Sequence, residues 1–248
     1  MQGSSVESAN ALERGFENDR RYMLIDKEGT FISQRTHPEL VFFYPQVSQE
    51  SLTISYKNKS FKIPLNSILQ NTIATTIFDK PVPATEVSNE ANSWFSTIMN
   101  QDIRLVKMGE KNIRHKNLIK GPDQVEVSFA DGYPYLIIGT ASLKNLNSKL
   151  AQELGFERFR PNIVLETHDP HIEDTWDDVK IGEGQFLVVK SCARCPVVTV
   201  DQVNGIKSKE PLKTLASFRK KENSIYFGAN AISRKVSSIR VSDEVTIL

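Results

Sequence analysis

The sequence predicts an α+β protein that is mostly β, with a β-rich N-terminal domain followed by a mixed, mostly antiparallel β-barrel. Short runs with strand patterning outnumber the runs with helical spacing. Regular helical crossovers, which separate the strands of a doubly wound sheet, are missing between these runs. Both observations favour a barrel over an open parallel sheet.

The first half contains two predicted hairpins and one predicted helix. Residues 22–26 and 30–33 flank a turn that contains Gly29, and apolar residues alternate at 52–56 and again at 61–65. Such alternation is typical of hairpins with one buried face. A helix packed on the sheet is predicted from four apolar residues at helical spacing, namely Trp94, Phe95, Ile98 and Met99.

The second half opens with a predicted buried strand at residues 135–138. An amphipathic helix should follow, with one apolar face formed by Leu143, Leu146, Leu150 and Leu154. Further strands are predicted at residues 162–166, 186–190, 196–201 and 239–246, and a short helix at 211–218.

A polar, basic stretch precedes Gly121 and Pro122 and marks a change in the character of the chain. Its basic residues are Lys107, Lys111, Arg114, Lys116 and Lys120. We interpret it as the boundary between two domains, residues 1–118 and 119–248. The stretch is typical of a solvated connector, and the functional alternative is a docking patch for an acidic partner protein.

The composition excludes several classes of protein. The net charge is +1, from 31 basic and 30 acidic residues, so no global field attracts nucleic acid or an anionic membrane. No apolar run approaches the roughly 20 residues of a transmembrane segment, and no signal peptide is recognisable. Two cysteines are too few for a secreted disulfide scaffold. We therefore expect an intracellular protein.

Common catalytic motifs are missing from the sequence. It contains no glycine-rich phosphate loop after a strand, no His-Glu-x-x-His motif and no Gly-x-Ser-x-Gly elbow. His168 and His171 flank Asp169-Pro170 in a polar segment. We interpret this segment as a surface loop with solvated histidines in preference to a metal site.

The pair Cys192-x-x-Cys195 is the sharpest local motif and supports several readings. A thioredoxin-like dithiol is disfavoured because a strand is predicted immediately after Cys195. A structural zinc site needs about four ligands, more than two thiols supply. The third reading is a single thiolate on a soft, high-valent metal, with Arg194 beside it to favour ionised sulfur. The fourth is a pair of small core residues.

Arg160 and Asn162 form a second candidate site in the same half. They flank Pro161 at the entrance of a predicted strand. The planar guanidinium suits a phosphate or a polar heterocycle, and an amide both donates and accepts hydrogen bonds. A surface arginine followed by a turn would explain the pair equally well if it stood alone.

Several segments occur in the order found in one known family, and they cover nearly the whole chain. They are residues 19–26, 158–164, 173–176, 192–195 with 199–201, 210–215 and 227–228. In these segments the sequence resembles MOSC-domain proteins, specifically the mitochondrial amidoxime-reducing component family. The resemblance implies a MOSC N-terminal β-rich domain followed by a MOSC domain, which is a mixed β-barrel.

The resemblance also implies a molybdenum–molybdopterin cofactor whose metal is held by Cys195, the expected catalytic residue. The residues expected to contact the pterin or its phosphate are Arg20, Arg160, Asn162, Arg194 and, at a helix N-terminus, Thr140. Asp201 matches a family aspartate whose role is structural or functional.

The implied activity is reduction of small N-hydroxylated substrates, such as amidoximes and hydroxylamines, with electrons from a separate cytochrome b5-type protein. A non-catalytic MOSC protein that carries molybdenum cofactor or sulfur is the alternative. General descriptions of MOSC domains include pyridoxal phosphate binding, which we carry onto no residue. The implied location is mitochondrial or cytoplasmic, with no targeting segment in this chain.

Two departures from the family pattern affect these expectations. A family segment with a Lys-Ser pair precedes the position where this chain begins, so we expect either an upstream start or weaker cofactor binding. Residues 237–243 replace a pattern with glycines, which should alter turns and leave the chemistry unchanged.

Overall fold

The structure is a computed structural model that describes residues 1–69, 72–78, 80–110 and 112–248. The chain forms two compact units. The first unit comprises Met1–Ser4, Asn18–Arg114 and Val203–Gly205, and the second comprises Ser5–Glu17, His115–Gln202 and Ile206–Leu248. The boundary between residues 118 and 119 stays a prediction about independently folding domains.

Strands make up most of the regular structure. The first nine are β1 (Ser8–Leu12), β2 (Gly15–Phe16), β3 (Tyr22–Ile25), β4 (Phe43–Val47), β5 (Ser51–Tyr56), β6 (Lys59–Pro64), β7 (Thr72–Ile77), β8 (Lys80–Glu86) and β9 (Arg104–Lys107). The next are β10 (His115–Asn117), β11 (Gln124–Glu126), β12 (Tyr135–Gly139), β13 (Ile163–Leu165), β14 (Asp178–Ile181), β15 (Gly184–Ala193), β16 (Lys220–Lys221), β17 (Ser224–Lys235), β18 (Ser237–Arg240) and β19 (Val245–Ile247).

The helices are few and short. They are α1 (Asn89–Met99), α2 (Thr140–Asn147) and α3 (Leu212–Ala216), with 3-10 helices at Pro38–Phe42, Phe156–Arg158, Ile172–Asp174 and Pro196–Thr199. Among the described residues, none of these helices has the length and apolar character that crossing a bilayer requires.

The first unit contains two antiparallel sheets, ordered β3-β9-β8-β7 and β4-β5-β6. The predicted hairpin of β5 and β6 is confirmed, with Tyr56 opposite Lys59. The other predicted hairpin was wrong in its second strand, because residues 30–33 form no strand and only an isolated bridge joins Ile25 to Phe31 across the turn, where Gly29 has a φ of +84°. The predicted helix is confirmed as α1. Ser88 caps its N-terminus, where the Ser88 hydroxyl accepts the Ala91 N–H at 3.0 Å.

The second unit is built on one sheet ordered β13-β12-β17-β15-β14-β19, with β16 paired to β17. The β12–β13 pair is parallel and the other pairs are antiparallel, which confirms the predicted mixed, mostly antiparallel barrel-like architecture. Before residue 18 the chain adds β1, which pairs with β18 and buries Ala11 in the core of this unit.

Three predicted element bounds in the second unit were wrong. The helix α2 ends at Asn147, because that side chain turns to bind both the carbonyl and the N–H of Leu154 at 3.0 Å. The strand predicted at 239–246 is two strands, β18 and β19, separated by a turn in which Ser242 has a φ of +71°. The strand predicted at 196–201 is the 3-10 helix Pro196–Thr199.

Described lysines of the basic stretch make contacts within their own units. Lys107 donates to the Leu65 carbonyl at 2.7 Å, Lys116 lies 5.3 Å from the Tyr133 ring centroid, and Lys120 pairs with Asp177. Burial, reinforced by the Arg21 charge, lowers the pKa of Lys107. Lys111 lies outside the described residues. A docking role for the stretch stays a prediction, and Lys107 is the residue least suited to it.

The substitution Tyr135→Phe tests how the early segment is held in the second unit. The buried Tyr135 hydroxyl donates to the Leu12 carbonyl at 2.5 Å. Losing this bond should lower the free energy of unfolding by about 1–2 kcal/mol. The control is Tyr44→Phe, since Tyr44 is 48% exposed and should change stability by less than about 0.5 kcal/mol. Equal effects of both substitutions in urea denaturation would contradict the assignment.

Candidate cofactor site

A β-bulge between the two longest strands of the second unit shapes the candidate site. Ser191 pairs with Ala229 and Ala193 pairs with Tyr226, so Cys192 faces two residues of β17, Phe227 and Gly228. Gly228 has a φ of +75°, and a Cβ there would lie 2.8 Å from the Ile137 carbonyl oxygen, so glycine is required. The bulge therefore sets the course of β15 where the cysteine motif begins.

Arg194 is held by the thiol of Cys192 and by a backbone carbonyl. Its Nη1 donates to Cys192 Sγ at 3.3 Å, and its Nη2 donates to the Phe159 carbonyl at 2.6 Å. The guanidinium carbon lies 5.6 Å from the centre of the Phe159 ring. The cysteine contact that the structure records for this guanidinium is with Cys192, whereas the sequence suggested that Arg194 serves Cys195.

Arg194 also retains an unused donor. Its Nε is buried and has no hydrogen-bond partner among the described residues. A buried N–H without an acceptor is costly in a folded protein, and such a group often indicates a water, an ion or a ligand that completes the site. The arrangement therefore fits an anionic ligand near Arg194.

Cys195 lies directly before the 3-10 helix Pro196–Thr199 and is half-buried. The β-branched run at 197–200 suggested a strand, but Pro196 starts a turn that the Thr199 hydroxyl closes on the Pro196 carbonyl at 2.7 Å. The predicted strand after Cys195 was the reason to disfavour a thioredoxin-like dithiol, and that reason no longer holds. The structure disfavours such a dithiol for another reason, because both cysteines precede the 3-10 helix and neither lies in its first turn.

A metal site made only of protein side chains is not found in the described part of the chain. No group of three or more His, Cys, Asp or Glu residues is arranged there to hold a metal ion. This geometry argues against the structural zinc reading of the cysteine pair. A metal bound by Cys195 would need most of its ligands from a cofactor.

The Arg160-Pro161-Asn162 segment adjoins Arg194 through Phe159. Arg160 has a φ of +57°, a strained conformation for a residue other than glycine, and its N–H donates to the Phe156 carbonyl at 3.1 Å. Asn162 anchors the segment on β12, since its Oδ1 accepts the Leu136 N–H at 3.1 Å and its own N–H donates to the Leu136 carbonyl at 2.9 Å. Such strain is often found at functional sites.

Thr140 begins α2, and its hydroxyl accepts the Thr167 N–H at 3.0 Å. The first N–H groups of the helix bind the protein itself. Ala141 donates to the Thr167 hydroxyl at 3.1 Å, and Gly139 donates to a Glu173 carboxylate oxygen at 3.3 Å. The role of Thr140 in cofactor binding stays a prediction, and these contacts do not favour a phosphate at the helix N-terminus.

Glu173 is a buried residue whose contribution the sequence did not reveal. It is fully buried, it accepts the Ser142 hydroxyl at 2.8 Å, and burial raises its pKa. Ser142 in turn accepts the His171 N–H at 2.7 Å. A carboxylate capping a helix from a distant loop has no signal in local sequence.

The expectation of solvated histidines was wrong for His171. His168 is exposed, but His171 is half-buried between the rings of Phe218 and Phe227, whose centres lie 5.9 and 6.0 Å from its own. Burial, reinforced by the Arg219 charge, lowers the pKa of His171 to about 4. An apolar environment of this kind disfavours the protonated ring.

Two further residues named from the sequence have clear neighbours. Asp201 pairs with Arg158 at 2.9 Å, and the Arg158 side chain is only 8% exposed, which supports a structural role for the aspartate. Arg20 belongs to the first unit, where it pairs with Asp19 at 2.5 Å and has a φ of +51°. Cofactor binding by Arg20 stays a prediction.

The substitution His171→Asn tests the environment of this histidine through pH. The folded protein holds fewer protons than the unfolded chain between the His171 pKa of about 4 and the ordinary value of 6.5. Stability contributed by the neutral ring is therefore lost as the pH falls through this window. As the pH falls through this window, the free energy of unfolding of the variant should decrease less than that of the native protein. The expected difference is on the order of 1 kcal/mol after allowing for partial exposure of the ring.

The control for this titration is His168→Asn, because His168 is exposed. The contribution from Glu173, whose pKa burial raises, remains in both variants and cancels in the comparison. Thermal or urea unfolding between pH 4 and pH 7 makes the measurement. Identical pH profiles for His171→Asn and His168→Asn would refute the assignment.

Comparison with known proteins identifies both halves of the chain. The MOSC domain matches residues 124–246, and the MOSC N-terminal beta barrel domain matches residues 1–102. Neither description mentions pyridoxal phosphate, and nothing in the comparisons supports that association.

Curated relatives match over nearly the whole chain. Mitochondrial amidoxime-reducing component 1 of Homo sapiens is 30% identical over 259 residues, covering 97% of this chain and 76% of the relative. The Mus musculus protein of the same name is 31% identical, covering 97% and 75%. Mitochondrial amidoxime reducing component 2 of Homo sapiens is 31% identical, covering 96% and 76%. The chain therefore belongs to the family of MOSC-domain proteins that includes the mitochondrial amidoxime-reducing components.

Proposed function

We propose that this protein is a molybdenum-cofactor-binding oxidoreductase that reduces N-hydroxylated compounds such as amidoximes and hydroxylamines. The proposal rests on the Arg194 guanidinium, which is held by hydrogen bonds at both Nη atoms. Its Nε is buried and has no partner among the described residues. The half-buried thiol of Cys195 follows it directly in the chain. The names of the relatives supply the substrate class.

The residues of the second unit fit an anionic, metal-carrying cofactor. Cys195 offers a half-buried thiol as a metal ligand, and Arg194 and Arg160 offer positive charge for the pterin phosphate. Asn162 already binds Leu136, so it would orient the segment at least as much as it contacts the cofactor. The cofactor, when bound, supplies a centre for two-electron transfer.

The overall reaction consumes two electrons and two protons. The N–O bond of the amidoxime breaks, its oxygen leaves as water, and an amidine remains. The chain's own residues would bind and orient the cofactor, and the buried Phe159 ring beside the buried Arg194 Nε would limit the access of water to its anionic part.

The electrons come from another protein in this proposal. Two cysteines are fewer than the four thiolates that hold a typical iron–sulfur cluster, so the chain would not carry its own. A cytochrome b5-type donor is the partner that the family resemblance implies. The chain would then work in mitochondria, as the relatives' names indicate for them, or in the cytoplasm.

The substitution Cys195→Ala tests metal ligation. Removing the sulfur should abolish molybdenum binding, because the described residues offer no alternative cluster of ligands. The matched control is Cys192→Ser, which removes the other thiol and leaves an acceptor for Arg194. Molybdenum content of the purified proteins is the measurement.

The assignment predicts stoichiometric molybdenum in the native protein and in Cys192→Ser, with none in Cys195→Ala. Metal lost only from Cys192→Ser, or zinc in place of molybdenum, would refute it. Benzamidoxime reduction with a chemical or protein electron donor then separates an enzyme from a carrier. Molybdenum-loaded protein without turnover would support the carrier alternative.

A further inference from the structure

We propose that Cys192 is a positioning residue, whose sulfur orients the Arg194 guanidinium toward the anionic part of the cofactor. This inference rests on the proposed function and assigns a role to the cysteine that is not the metal ligand.

The contacts of Arg194 define the plane of its guanidinium. The backbone N–H donates to the Ile225 carbonyl at 2.8 Å, which fixes the start of the side chain. One terminal nitrogen binds Cys192 Sγ at 3.3 Å and the other binds the Phe159 carbonyl at 2.6 Å. A planar group held at both terminal nitrogens cannot turn about its Cδ–Nε bond without losing a hydrogen bond.

The sulfur is itself held in place. Cys192 packs against the apolar cluster that includes Phe159 and Phe227, and the bulge at Gly228 lies opposite it. Cys192 itself is half-buried. A polarizable sulfur accepts a long hydrogen bond from a cation at this distance.

The consequence is a preformed direction for the unused donors of Arg194. The buried Nε without a partner among the described residues lies in the same plane as the two fixed nitrogens. A guanidinium oriented before the cofactor arrives loses less conformational entropy on binding than a mobile one. Removing the sulfur should therefore weaken cofactor retention through Arg194 alone.

The test is the rate at which purified holoprotein releases its cofactor, followed by molybdenum content and pterin fluorescence after dilution. Cys192→Ala should accelerate release by about threefold to tenfold, the range for an ordinary net hydrogen bond, because the lost bond holds Arg194 and does not itself touch the cofactor. Cys192→Ser should restore slow release, because its hydroxyl accepts the same N–H. Melting temperatures of each variant verify that the protein is folded.

A double mutant separates positioning from general structural damage. If Cys192 acts through Arg194, Cys192→Ala in an Arg194→Gln background should release cofactor no faster than Arg194→Gln alone. Equal acceleration in both backgrounds would overturn the inference, as would native release rates in Cys192→Ala. A native protein that holds no molybdenum, or that keeps it in Cys195→Ala, would instead overturn the proposed function and this inference with it.

Discussion

The antiparallel pairing of β15 with β17 is the constraint on which the second unit depends. These are the longest strands of the described chain, with 10 and 12 residues, and β17 also pairs with β12 and β16. Their bulge, where Cys192 faces Phe227 and Gly228, fixes the end of β15 from which Arg194 and Cys195 emerge. The candidate site therefore inherits its geometry from the most extensively hydrogen-bonded part of the sheet.

The two cysteines of the motif lie in different structural elements. Cys192 belongs to the strand, faces an apolar cluster and binds Arg194. Cys195 belongs to the connection that follows, before a 3-10 helix, with a half-buried thiol. Rigid elements hold the first thiol and the cation, while the second thiol is presented by a turn. Sites built on rigid strands hold their geometry better than sites built on loops alone.

The sequence predicted the elements whose patterns are local and missed those that depend on distant contacts. The β5–β6 hairpin, α1 and the strands β12, β13 and β15 were predicted from alternation, helical spacing or short apolar runs, and they were confirmed. The sequence did not predict β14 or β17, the longest strand. The residues after Cys195 have strand propensity, but a proline and a side-chain hydrogen bond turn them into a 3-10 helix. Burial of Glu173 and partial burial of His171 arise from tertiary packing that no local pattern encodes.

Protection of a thiol by bound metal distinguishes ligation of molybdenum by Cys195 from ligation by Cys192. The purified protein is treated with iodoacetamide before and after removal of the metal, and each cysteine is quantified by mass spectrometry. A metal-bound thiolate is a weaker nucleophile than a free one, so metal removal should raise Cys195 alkylation about tenfold or more and change Cys192 far less. Equal protection of both thiols, or protection of Cys192 alone, would contradict the account.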